Sequence, residues 1–203
     1  MTNIDFVKIC IENKNLRMTS FRKSLIAMRY EKISKSDVEF FKNIYFDIKG
    51  DAERTAYRSL LLQALVLQCL QYDLKDFFLM VFKKERYLDT RLTAIRGYSA
   101  YATETEVIPL MDKFLSILIK RPETTPYNYQ EYETLRSKFG LPYLIEHYGY
   151  DCFKKAMEQL EKQYNDMPDE VKGIFTLDEN GAVIELISPE EVSRRFDVLF
   201  CRN

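Results

Sequence analysis

The chain has 203 residues, of which 46% are hydrophobic and 30% are charged, so it can bury the core of one good-sized domain. Its formal net charge at pH 7 is only −1, which argues against a generally basic nucleic-acid-binding protein. The charge is nevertheless uneven, with net values of +4 over residues 1–50, zero over 51–150 and −5 over 151–203.

The start of the chain has neither the basic residues nor the apolar run of a signal peptide. The longest apolar segment, residues 60–70, is interrupted by Gln63 and Gln68 and is shorter than the roughly 20 residues of a membrane span. The sequence therefore predicts a cytoplasmic protein that does not bind membranes.

The first third of the chain has the periodicity of amphipathic helices. Residues 4–12 are predicted to form the first helix, with Phe6, Ile9 and Cys10 on its apolar face, and a second helix is predicted to start after Ser20. Ser36 and Glu39 have the spacing of a capping box, which predicts the start of a third helix.

A fourth helix is predicted over residues 52–71, with Asp51 as its N-cap. Its leucines occupy nearly every face, which is typical of a helix at the centre of a helical stack. Asp73 is predicted to open the next helix, which continues through Phe82.

The most strongly patterned stretch, residues 85–121, predicts two further helices. The apolar face of the first consists of four residues at helical spacing, namely Leu88, Leu92, Ile95 and Tyr98. Thr103 and Glu106 form a predicted capping box for the second helix. Two helices joined by a few polar residues lie nearly antiparallel, and other helix pairs must complete their core, so we predict a stack of helical hairpins.

Helices are also predicted over residues 127–139, 141–148 and 152–164, the last capped by Asp151. Two β-branched runs then flank Asn180–Gly181, a dipeptide that favours a hairpin turn. Ser188 and Pro189 predict a final short helix. The expected fold is all-α, with a helical body over residues 1–165 and a β-hairpin plus C-terminal helix over 166–203.

Part of this pattern resembles the HEAT and armadillo-like repeat proteins. Arg91, Ala94 and Pro109 stand where that family has an arginine, a small residue and a helix proline. Arg136 and Pro142 match two of these positions again, whereas Glu85 is the single match to the family's acidic turn residue. The resemblance covers residues 20–165 and implies an α-solenoid of antiparallel helix pairs that serves as a binding scaffold.

Catalytic and metal-binding patterns are absent from the sequence, and we predict no enzyme, cofactor or metal site. His147 is the sole histidine, and it is interpreted as a structural or surface residue. The four cysteines have no zinc spacing, and we predict reduced thiols, mostly buried, at Cys10, Cys69, Cys152 and Cys201.

Nucleic-acid binding is the first alternative function, because helical-repeat folds often present a basic concave face. The basic residues cluster only in the first quarter, at Arg17, Arg22, Lys23 and Arg29, and tryptophan is absent. Nucleic acid is therefore a disfavoured partner. A scaffold or adaptor in a host complex is the second alternative.

The favoured hypothesis is protein binding without catalysis. Tyrosine is abundant, and rigid amphipathic rings are favoured anchors at protein interfaces. A chain rich in Lys, Asn, Ile and Tyr and acidic at its end resembles the immunity proteins of bacterial toxin systems, including contact-dependent growth inhibition. That resemblance implies a basic toxin domain, such as a nuclease, neutralised by occlusion. The predicted interface consists of Tyr127, Tyr129, Glu131, Asp178, Glu179, Glu185, Glu190 and Glu191.

Overall fold

The computed structural model describes residues 1–48, 52–69, 71–119, 140–166, 175–177 and 183–185. Within these ranges the protein is mainly helical. The chain divides into two compact units, Met1–Ala102 and Thr103–Asn203, each described here by itself. The predicted boundary at residue 165 and the solenoid arrangement of the helices stay predictions.

Six helices belong to the described part of the first unit. They are α1 (Asn3–Glu12), α2 (Thr19–Ala27), α3 (Lys35–Ile44), α4 (Ala52–Val66), α5 (Lys75–Lys84) and α6 (Leu88–Ser99). Short 3₁₀ turns follow α2 at Met28–Tyr30 and α3 at Tyr45–Asp47. Helix α1 packs on α2, α2 packs on α4, and α6 packs on both α4 and α5.

Helices α5 and α6 form a tight pair joined by three residues. The predicted apolar face of α6 is confirmed, because Leu88, Leu92, Ile95 and Tyr98 are all buried. Gly97 lets the two helices approach closely, since a Cβ atom at this position would lie 2.6 Å from Cε1 of Phe78. The α5–α6 pair therefore depends on a residue without a side chain at its contact point.

Two predictions about the first three helices are wrong. In α1 the buried residues are Ile4, Val7 and Cys10, whereas Ile9 is exposed. In α3 the N-cap is Ser34 rather than Ser36, and its hydroxyl accepts the N–H of Asp37 at 3.2 Å. The helix therefore begins two residues before the predicted start.

Helix α4 ends at Val66, five residues earlier than predicted. The carbonyl groups beyond its end are satisfied by a side chain of the same unit. The Tyr101 hydroxyl lies 2.6 Å from the carbonyl oxygen of Cys69 and 2.5 Å from that of Tyr72. The hydroxyl contacts two carbonyl oxygens that would bond to backbone N–H groups if the helix continued.

In the second unit the described helices are α7 (Glu104–Ile119), α8 (Leu141–Tyr148) and α9 (Asp151–Asp166). Helix α9 packs on both α7 and α8. The carboxylate half of the predicted capping box of α7 is present, since the Thr103 N–H donates to the Glu106 carboxylate at 2.9 Å, and the Thr103 hydroxyl lies 3.2 Å from the same carboxylate. Gly149 ends α8 with φ of +64°, the left-handed conformation that glycine adopts at helix ends.

Two short strands, β1 (Phe175–Leu177) and β2 (Val183–Glu185), pair antiparallel with Thr176 opposite Ile184. Several predicted features lie outside the described residues, namely the helix over 127–139, the turn at Asn180–Gly181, the helix after Ser188, and the N-cap at Asp51.

Candidate functional site

The interface predicted from the sequence lies almost wholly outside the described residues. This holds for Tyr127, Tyr129, Glu131, Asp178, Glu179, Glu190 and Glu191. The backbone of Glu185 forms the end of β2, opposite Phe175. Their role in partner binding therefore stays a prediction.

The described part of the second unit contains a different group of aromatic side chains, which we name the aromatic row. It consists of Tyr143, His147 and Tyr148 in α8 and of Tyr150 in the turn before α9. His147 is exposed, and the three tyrosines are half-buried. The row therefore has both a core side and a solvent side.

The rings of the aromatic row contact one another in sequence order. His147 stacks on Tyr143 at a centroid distance of 4.7 Å and an interplanar angle of 15°, as expected for side chains four residues apart on a helix. Its other neighbour, Tyr148, meets it edge to face at 5.5 Å. Tyr148 lies 5.8 Å from Tyr150. Aromatic pairs in these geometries hold each other in place.

The inner end of the row is fixed in the core of the unit. The ring of Phe153, which is fully buried in α9, stacks on Tyr150 at 5.6 Å. The left-handed backbone at Gly149 reverses the chain between the two helices, so that rings from both sides of the turn meet. The row is thus a continuous set of rings that runs from the core to solvent.

Glu104 links the start of α7 to the start of α9. Its carboxylate accepts the N–H of Cys152 at 2.8 Å, which places a negative charge at the N-terminal end of α9, where the helix dipole favours it. Burial, followed by the charge of Glu104, raises the pKa of the Tyr150 hydroxyl. The Tyr150 hydroxyl therefore stays protonated near neutral pH.

The described thiols are reduced, and they are protonated at neutral pH. Cys10 and Cys69 are buried, as predicted, whereas Cys152 is only partly buried. Burial raises the pKa of Cys69 to about 11, and burial together with Glu104 raises that of Cys152 to about 11. Such thiols are poor nucleophiles, because the thiolate is the reactive form. Cys201 lies outside the described residues.

The first unit contains a buried ion pair that the sequence pattern did not reveal. Glu85, only 3% exposed, accepts hydrogen bonds from Nε of Arg58 at 2.9 Å and from its Nη2 at 3.2 Å. Arg58 also donates to the carbonyl oxygen of Ile48 at 2.6 Å. The Tyr45 hydroxyl is buried nearby, and burial followed by the charge of Glu85 raises its pKa.

Glu85 therefore pairs with Arg58 in α4, whereas Arg91 contacts only its backbone. Nε of Arg91 donates to the carbonyl oxygen of Glu85 at 2.6 Å, and its guanidinium lies 5.7 Å from the ring centre of Phe82. One signal for Arg58 was present in the sequence, since this arginine stood just before the leucine-rich part of its helix. The arrangement joins three segments, and we assign it a structural role.

In the described part of the chain, no group of three or more histidine, cysteine, aspartate or glutamate side chains is arranged to hold a metal ion. Likewise, none of the described helices has the length and hydropathy needed to cross a membrane.

Comparison of the chain with protein-family models, with curated proteins and with solved structures finds no match. The functional assignment therefore depends on the residues themselves.

Proposed function

We propose that this chain is a non-enzymatic protein-binding module, and specifically an immunity protein that binds and neutralises a cognate bacterial toxin by occlusion. The observation that carries the proposal is the aromatic row, in which four rings in mutual contact extend from the buried Phe153 to the surface of the second unit. Tyrosine rings fixed in this way lose little conformational freedom on binding, and they are enriched among the residues that dominate interface energetics.

Charge supports a basic partner for this surface. The second unit carries 12 basic and 19 acidic residues, a net charge of −7. Next to the aromatic row, Glu146 and Asp151 are exposed. An acidic surface with central aromatic anchors is complementary to a basic toxin domain such as a nuclease, and the opposite charges would accelerate association.

Three further features of the proposal concern the arrangement of the helices, the extent of the contact surface and the site of action. The helix pairs stack as a HEAT-like α-solenoid, followed by the C-terminal hairpin and a short helix. Tyr127, Tyr129 and the acidic residues 178–191 enlarge the contact surface beyond the aromatic row. The proposed site of action is the cytoplasm.

Affinity capture tests the proposal directly. The tagged chain is used as bait in an extract of its native organism, and the proteins that remain bound at moderate salt are identified by mass spectrometry. The expected result is one basic domain in near-equal amount, whose toxicity disappears when the chain is co-expressed. Recovery of a housekeeping complex instead would support the scaffold or adaptor alternative and contradict the toxin assignment.

Substitutions then locate the surface. Tyr148→Ala is expected to weaken capture roughly tenfold or more, since aromatic anchors at interfaces cost about 2 kcal/mol or more when truncated. Glu190→Lys with Glu191→Lys tests the acidic end and is expected to reduce binding and its salt dependence. Tyr87→Ala, at an exposed tyrosine of the first unit, is the matched control. Full binding by both test variants would refute the proposed surface.

A further inference from the structure

The most unusual charge distribution in the described residues lies in the first unit, between Lys14 and Lys35. This segment contains seven basic residues and one acidic residue, a net charge of +6 in 22 positions. Six of the seven are exposed, namely Lys14, Arg17, Arg22, Lys23, Lys32 and Lys35. We name this segment the basic segment.

The cations of the basic segment are not neutralised by ion pairs within the described chain. Three ion pairs in the described part of the first unit join Lys8 to Asp37, Lys42 to Glu39 and Arg58 to Glu85, and none of the three involves the basic segment. Helix α2, at its centre, has nine residues and is therefore about 13 Å long. Exposed charges of one sign in a short segment add their potentials, so the segment attracts anions.

An aromatic ring is exposed within this positive segment. Tyr30 is 81% exposed, although its ring is large and apolar. The guanidinium of Arg29 lies 5.7 Å from the centre of the Tyr30 ring. The local sequence pattern points to Arg29 as a basic residue, but it does not show which tyrosines are exposed, so it does not reveal Tyr30.

The backbone that carries Tyr30 is anchored on both sides. Met28 and Ile33 are fully buried, and the Ile33 carbonyl accepts the hydroxyl of Tyr72 at 2.7 Å. Arg29 is held by two hydrogen bonds, from Nε to the Ile26 carbonyl at 3.2 Å and from Nη1 to Gln63 at 2.6 Å. The exposed ring therefore extends from a fixed turn.

We propose that the basic segment is a binding site for single-stranded nucleic acid. The exposed cations contact successive phosphates, and the Tyr30 ring, supported by Arg29, stacks on one unpaired base. This combination of cationic surface and exposed aromatic ring is the general chemistry of single-strand binding without strong sequence preference. Four of the seven cations are lysines, a residue depleted at protein interfaces, which favours a nucleic acid over an acidic protein.

The site lies in the first unit and does not depend on the aromatic row. The inference therefore goes beyond the proposed function. Its test needs no protein partner. Either proposal can therefore fail while the other stands.

The test is fluorescence anisotropy with a labelled uridine oligomer of about 12 nucleotides, a length within the range of single-strand sites. Binding is measured with the full chain between about 50 and 200 mM salt. Tyr30→Ala is expected to weaken binding roughly tenfold, which is within the usual effect of removing one stacked base. Tyr30→Phe keeps the ring and is expected to retain the affinity.

Charge reversal provides the second arm. Arg22→Glu with Lys23→Glu is expected to weaken binding at least about tenfold and to lower the slope of log K against log salt by about 1.4, since each lost phosphate contact contributes about 0.7. Lys83→Glu with Arg86→Glu makes the same charge change at exposed positions outside the basic segment and is expected to have a small effect. Circular dichroism confirms that each variant is folded.

Four outcomes would overturn the proposal. They are absence of oligomer binding, unchanged affinity in Tyr30→Ala, equal affinity for a duplex of the same length, and equal competition by polyglutamate or by phosphatidylserine vesicles. Duplex binding would exclude stacking on an unpaired base. Competition by the acidic polypeptide or by the vesicles would assign the segment to a protein or a membrane surface instead.

Discussion

At the scale of single residues, packing in the α5–α6 pair depends on Gly97. Gly97→Ala is expected to destabilise the protein by about 1–3 kcal/mol, because the added methyl group would overlap the Phe78 ring, which is itself fully buried. Thermal or urea unfolding followed by circular dichroism measures the change.

A second substitution separates this overlap from a general effect of alanine. Combining Gly97→Ala with Phe78→Leu makes room for the methyl group, so the two changes should cost less together than the sum of their separate costs. Strict additivity in this double-mutant cycle would show that the contact with Phe78 is not the cause.

At the same scale, the apolar face predicted for α1 was wrong. Ile4, Phe6, Val7, Ile9 and Cys10 fall within one short helix, and they fit two different apolar faces. Periodicity alone cannot choose between these faces, because the choice depends on which neighbouring helix covers them. The structure buries Ile4 and Val7 and leaves Ile9 exposed.

At the scale of secondary-structure elements, the start of α3 illustrates a signal that was present but not used. Ser34 and Ser36 each precede an acidic residue by three positions, so both fit a capping box. Only Ser34 also has apolar residues at the two staple positions, Ile33 and Val38, and both are fully buried. A hydrophobic staple would therefore have identified the correct cap from the sequence.

The ion pair between α1 and α3 gives a pH-dependent prediction. Burial opposes ionisation of Asp37, but hydrogen bonds from Lys8 at 2.6 Å and from Ser34 outweigh it, and the pKa of Asp37 is lowered. A lowered pKa stabilises the fold above the unfolded value near 4, and this contribution disappears as the pH falls through the folded pKa.

Asp37→Asn is accordingly expected to cost about 1 kcal/mol at pH 7, as for a partly exposed pair, and to cost progressively less toward pH 3. Urea unfolding at several pH values measures the difference from the unmodified chain. A cost that stays constant over this pH range would mean that the side chain acts through its capping geometry alone.

The Arg58–Glu85 pair could not be predicted from the sequence, because its partners are 27 residues apart and the HEAT resemblance directed attention to Arg91. Removing one member leaves a buried charge, so Glu85→Leu is expected to destabilise the protein by about 3–5 kcal/mol. Combining it with Arg58→Met removes both charges, and the double variant should be more stable than Glu85→Leu alone. If the double variant were the less stable of the two, charge burial would not explain the cost.

At the scale of the whole molecule, a net charge of −1 conceals two units of opposite sign. The first unit has 18 basic and 12 acidic residues, a net charge of +6, whereas the second has a net charge of −7. We therefore expect retention at low salt on both cation- and anion-exchange resins at pH 7, because adsorption depends on local potential. Arg22→Glu with Lys23→Glu should abolish retention on the cation exchanger. Elution of the unmodified chain in the void volume of either resin would contradict this expectation.

The helical class, most helix positions and the apolar face of α6 were predictable from the sequence, because they depend on local periodicity and capping. The candidate site was not. Tyr148 and Tyr150 meet across a left-handed glycine, and the sequence shows neither which tyrosines meet nor which remain exposed.

The raised pKa values of two thiols have a practical consequence for the study of unfolding. Cys69 lies in the first unit and Cys152 in the second, and with pKa values of about 11 both should react slowly with alkylating reagents at neutral pH until their surroundings open. After replacement of Cys10 and Cys201 by serine, mass spectrometry can follow labelling at each position in one sample. Equal labelling rates would indicate that the units open in a single cooperative event, and unequal rates would give the local stability of each.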